Sequence, residues 1–181
     1  MNRIYLAALL AFGSFVSYSL ADNWGHWRGP TGNSVATNAN PPAEFSDTKN
    51  VKWKVAIPGR GSGSPVVWDN QVFVVTAVRA DGSAEPASGG GGGRRRGGGR
   101  GQSGPTPKLH FKLLAFNRTN GELLWEKTAT TSTPHQGSHS TNGFASASPC
   151  TDGQHVYAHF GSRGLYSVSY THLTLPTKRI V

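Results

Sequence analysis

The chain has 181 residues, 24 of them glycine and 11 proline, with a single cysteine and a formal net charge of +9. One cysteine excludes an internal disulfide framework, so packing must hold the fold. The charge is local: Arg94, Arg95, Arg96 and Arg100 sit in one glycine tract and Lys178 and Arg179 near the end, and +9 less those six leaves +3, a balance that does not argue for a specific nucleic-acid partner.

Residues 1–21 read as a secretory leader. Arg3 supplies the positive start, residues 4–16 are mostly apolar but short for a membrane span, and Ser19-Leu20-Ala21 places small residues where a signal peptidase reads. Cleavage after Ala21 is expected, which exports the chain to the periplasm or cell envelope. A retained N-terminal anchor, with membrane association, is the alternative.

Residues 22–50 form an irregular lead-in with Trp24, Trp27, Arg28-Gly29-Pro30 and Pro41-Pro42. Residues 51–57 alternate, with Val51, Trp53, Val55 and Ile57 on one face and Lys52 and Lys54 on the other, the pattern of a half-buried strand. Residues 66–68 and 72–78 are two further strands around the turn-prone Asp69-Asn70-Gln71. Residues 79–107 are a low-complexity Gly/Arg insertion with too little apolar surface to pack, and disorder is expected there. Strands are expected at 109–116, 122–127, 155–160 and 165–168, with a tight turn at 117–121 and a His/Ser/Gly loop at 134–142. No long helical periodicity follows the leader. The expected class is therefore all-β, with roughly 120 residues left to build a core once the leader, insertion and tail are set aside.

A repeat runs through these strands. Ser64-Pro65, after Gly61-Ser62-Gly63, stands nine residues before Phe73 (counting from Ser64), and Ser148-Pro149, after Ala145-Ser146-Ala147, stands nine before Tyr157. The copies are 84 residues apart. Without an insertion of about 30 residues the period falls in the low fifties, near that of propeller blades. Small residues before Ser-Pro suit a strand beside a crowded axis.

The segment from Ala115 through Asn117 and Gly121 to Trp125 resembles the tryptophan-docking motif of the PQQ-like (quinoprotein-type) β-propellers, A-x-D-x-x-T-G-x-x-x-W. Asn117 stands where that family has Asp, and Asn120 where it has Thr. Trp24 to Pro30 and the block 134–164 are similar to BamB-like propeller proteins. The likeness covers about 110 residues and speaks to fold far more than to function.

It implies an incomplete propeller over 51–168: about one to two four-stranded antiparallel blades of seven or eight, the rest missing from this chain. The docking motif does not recur in residues 169–181. A truncated reading frame with an unrelated, non-native tail is expected there, or else a divergent terminus.

Several residues invite chemistry. His135 and His139 lie four apart on a loop, which forces no shared face. His155 and His159 share a strand face about 13 Å apart, too far to bind one metal. They read as structural or loop histidines, with a transition-metal site the alternative. Arg163, between glycines, is a surface or axial contact or an ordinary turn residue. Trp24, Trp27, Trp53, Trp68 and Trp125 read as core. No catalytic residue is assigned. The leading functional expectation is a non-catalytic scaffold that binds envelope proteins. A second is a quinoprotein dehydrogenase, for which PQQ with Ca²⁺ is implied by resemblance alone. Those enzymes use an Asp base and often a vicinal cysteine pair, which lone Cys150 does not supply. A third is a polyanion-binding surface protein using the arginine tract.

Overall fold

A computed structural model of the chain describes residues 23–37, 39–83, 106–138, 142–170 and the backbone strand at 178–180. The expected leader, residues 84–105 of the Gly/Arg insertion, His139 and most of the tail lie outside the described residues.

The protein is all-β. β1 (Val66–Trp68), β2 (Gln71–Arg79), β3 (Leu109–Asn117) and β4 (Leu123–Ser132) form one antiparallel sheet in that order. β5 (Cys150–Thr151), β6 (His155–His159), β7 (Leu165–Ser169) and β8 (Lys178–Ile180) form a second, also in chain order. Among the described residues the one helical element is a single 3-10 turn, Gly161–Arg163.

Local chemistry sets these elements. Residues 73–77 of β2 are buried without a break, which is why their run is apolar rather than alternating. The turn between β3 and β4 closes because Gly121 takes a φ of +76°, which a side chain would strain. Asn117 braces it: its Oδ1 accepts the Thr119 N–H at 2.8 Å and its carbonyl accepts the Gly121 N–H at 2.8 Å. Two bulges bend β4 against β3, at Phe111/Lys112 and at Ala115/Phe116. β4 also runs past its expected end at 127, because the β-prone threonines that follow pair with residues 109–111.

The sequence repeat is a repeat of register. Val66↔Phe73 and Val67↔Val72 in the first sheet match Cys150↔Tyr157 and Thr151↔Val156 in the second, 84 residues on. Val72↔Phe116 and Phe73↔Ala115 match Val156↔Val168 and Tyr157↔Ser167, so β3 and β7 are offset by only 52. The difference, 84 less 52, puts 32 extra residues between the matched pairs of the first sheet, shared between the longer β2 and β3 and the connection that joins them. At Trp125, which pairs with Ala115, the second sheet has Lys178 paired with Ser167.

Equivalent faces do not meet. Phe73, Val75, Ala77, Phe111 and Leu113 share one core with Val156, Ala158, Phe160 and Val168. The counterparts of Val156 and Ala158 are Val72 and Val74, which belong to a separate apolar cluster with Leu114 and Phe116. Residues alternate sides along a strand. The front of the first sheet therefore packs on the back of the second.

The segments that lead into β1 and β5, residues 61–65 and 145–149, lie side by side with equivalent residues adjacent. Ser62 N–H donates to the Ala145 carbonyl at 3.0 Å, and Ser64 N–H donates to Ser148 Oγ at 2.8 Å. A Cβ on Gly63 would stand 2.7 Å from the Ala147 oxygen. Trp24 makes paired backbone bonds to Val67, and the Gly25 carbonyl accepts the Thr151 N–H.

Residues 51–57 do not form the expected strand. The segment lies across the back of the first sheet and is held at both ends. Trp53 donates its indole N–H to the Arg118 carbonyl at 2.9 Å and packs on Gly121, and Thr76 Oγ1 donates to the Pro58 carbonyl at 2.6 Å. Only Trp53 of the expected inward row is half-buried; Val51, Val55 and Ile57 are 44%, 38% and 40% exposed. The alternation is real, but among the described residues no strand pairs with the segment.

Replacing Gly63 with valine is expected to force the lead-ins apart and lower unfolding stability by about 1–3 kcal/mol. Gly137→Ala, in open space, is the control that leaves the thermal midpoint unchanged.

Candidate functional site

The repeat-motif residues fall into two groups, both architectural. Trp125 stands half-buried on the front of the first sheet, with its indole N–H 3.2 Å from Gln71 Oε1 and its ring 5.9 Å from that of Phe73. Phe73 also meets Tyr170 at 5.0 Å, so three aromatics link the sheets. Ala115, Asn117 and Gly121 set the strand and turn that carry Trp125. Ser64 and Ser148 join the lead-ins; Pro149 is fully buried while Pro65 is exposed.

The other tryptophans divide. Trp68 packs against Gly25 and Gly153, and Trp24 against Gly29. Trp27 corrects the expectation of a core residue: it is 58% exposed, with the Arg28 guanidinium 4.7 Å above its ring. A cation stacked on the indole face explains how a large ring is tolerated there.

A cleft of about 640 Å³ opens where β6 turns into β7, facing the loop after β4. Its apolar floor includes Phe111, Phe144 and Phe160, with the Phe111 and Phe160 rings 5.2 Å apart. Its polar rim includes His135, His159 and Arg163, together with serines and amides. Among the described residues no carboxylate lines it. The turn that carries Arg163 is fixed: its N–H donates to the Phe160 carbonyl at 3.1 Å, and its carbonyl accepts the Tyr166 hydroxyl at 2.8 Å. Its Nε is buried with no hydrogen-bond partner.

The expected histidine set separates. His135 and His159 share the cleft, whereas His155 sits 3.7 Å from Asp152. Among the described residues no group of three or more His, Cys, Asp or Glu is placed to hold a metal ion. The cleft also does not fit Ca²⁺, which takes oxygen ligands rich in carboxylate.

Asp152 heads a second polar cluster, which sequence reasoning missed. Its Oδ1 accepts the N–H groups of Gln154 and His155 at 2.8 and 2.7 Å, and its Oδ2 accepts the Tyr157 hydroxyl at 2.9 Å. Desolvation pushes its pKa up, but these donors and the His155 imidazole together outweigh it and hold the carboxyl at about 2. Donation to Asp152 raises the Tyr157 phenol. Burial, and then the Asp152 charge, raise the Cys150 thiol, which keeps it protonated and poorly nucleophilic. The signal in sequence was Asp-Gly-Gln-His after a Ser-Pro repeat, a turn whose aspartate caps the next strand.

A scan against protein-family models finds no match, and a search of curated proteins finds none either.

Two outcomes follow. Trp125→Ala is expected to cost about 2–4 kcal/mol, below the full value for a wholly buried ring, with Trp125→Phe losing about 1 kcal/mol through Gln71; paired denaturant melts measure both. Because the folded pKa of Asp152 is depressed, its stabilisation is present above 3.8 and is lost as pH falls through about 2. Amide exchange in the β5–β6 turn should accelerate across that window in the native chain and show no such step in Asp152→Ala.

Proposed function

We propose that the two sheets are neighbouring blades of a PQQ-like β-propeller, and that the protein is an exported, non-catalytic scaffold that binds other proteins at the cell envelope. The observation that carries this reading is the front-to-back contact between equivalent sheets. A contact joining unlike faces leaves an unused front on one side and an unused back on the other, so the same step can repeat until it closes a ring. Adjacent, equivalent lead-ins at Ser64 and Ser148 are what rotation about a nearby axis produces. The Ala115–Trp125 motif and the leader add the family resemblance and the cellular address.

The scaffold role rests on exposed apolar surface. Val51, Val55 and Ile57 remain 44%, 38% and 40% exposed along one segment, and Trp27 adds a stacked aromatic elsewhere. Such rows mark contact surfaces. The dehydrogenase and polyanion readings become outcomes of the test.

Crosslinking in intact cells should join Lys52 and Lys54 to envelope proteins, and a Val51→Asp/Ile57→Asp variant should lose those crosslinks with an unchanged melt. Crosslinks indifferent to that variant would remove the scaffold reading. Dye-linked oxidation after addition of PQQ and Ca²⁺ would transfer the assignment to the dehydrogenase. Loss of partners only on deleting residues 86–104 would transfer it to the polyanion binder.

A further inference from the structure

We propose that the cleft between the two sheets binds the oxyanion group, carboxylate or phosphate, of a small solute, with Arg163 as its anchor. The inference stands on the cleft alone and does not depend on the propeller reading.

One buried donor of Arg163 has no acceptor. A guanidinium carries five N–H donors and is always charged, so burying one of them without an acceptor is costly. Arg163 Nε is in that position, and the side chain enters none of the ion pairs among the described residues. A buried orphan in a native fold asks for an explanation, and an acceptor from outside the chain supplies one. The planar fork of arginine matches a carboxylate or phosphate, which takes two parallel bonds from it.

The surroundings have the right sign. No carboxylate among the described residues lines the cleft to compete for Arg163. Asn142 has its Oδ1 engaged by the Gly143 N–H and the Ser146 hydroxyl, which leaves its NH₂ as the group to donate. Phe111, Phe144 and Phe160 make an apolar floor, which strengthens charged contacts beside it and accepts the carbon skeleton of an organic anion.

Phe160 and Tyr166 fix the backbone of Arg163 on both sides, which sets where its side chain starts from at the cleft.

Isothermal titration of the chain with sodium phosphate and with sodium succinate, at constant ionic strength in chloride, tests the proposal. One site per chain is expected for at least one probe, and comparing the two tells phosphate from carboxylate. Arg163→Gln should weaken binding about tenfold or more, Arg163→Lys by less, and Arg28→Gln, outside the cleft, not at all. As a readout that needs no variant, the Arg163 Nε–H resonance should shift downfield as the anion is added. No heat from either probe at millimolar concentration, equal binding by Arg163→Gln, or an unmoved Nε–H signal during saturable binding would each overturn the assignment.

Discussion

The fold depends on how Phe73, Val75, Phe111 and Leu113 of one sheet meet Val156, Ala158, Phe160 and Val168 of the other. These side chains make a single core from two thin sheets, neither of which buries enough apolar surface alone. The contact joins a front to a back, so it aligns the strands of both units in the same sense. It brings the Gly63 and Ala147 segments into contact and leaves no room between them for a Cβ on Gly63. It also brings Phe73 against both Trp125 and Tyr170. The adjacent segments, the aromatic contacts and the core are consequences of one relation between two copies of a pattern.

The cleft lies at a place where the two copies differ. The second sheet closes β6 to β7 across residues 160–164, whereas the first joins β2 to β3 across residues 80–108. The loop leaving β4 and the turn between β6 and β7 together line the gap with His135, His159 and Arg163. Features that keep the repeat, such as Asn117 and Gly121, serve the backbone alone.

Much of this was legible in the chain. The Ser-Pro pairs gave the repeat and its offset, because register in a strand is a matter of counting. Gly121 and Asn117 announced their turn through backbone chemistry that acts within a few residues. Residues 51–57 misled for a related reason: alternation reports which side chains can share a face, while strand formation needs a partner for the backbone. Trp27 misled because an indole needs burial or a cation, and Arg28 beside it supplied the second. Arg163 and the Asp152 cluster owe their environments to contacts across the fold and across a turn that composition does not encode. His135 and His159 come together in space, but their linear spacing to His139 and His155 pointed to other pairs.

Nuclear Overhauser contacts between aromatic rings in the folded chain test the front-to-back relation most directly. The account expects strong contacts from Phe111 to Phe160 and from Phe73 to Tyr170, whose ring centres lie 5.2 and 5.0 Å apart. A strong Phe73–Tyr157 contact, with the Phe111–Phe160 contact absent, would mean that like faces meet and would contradict it.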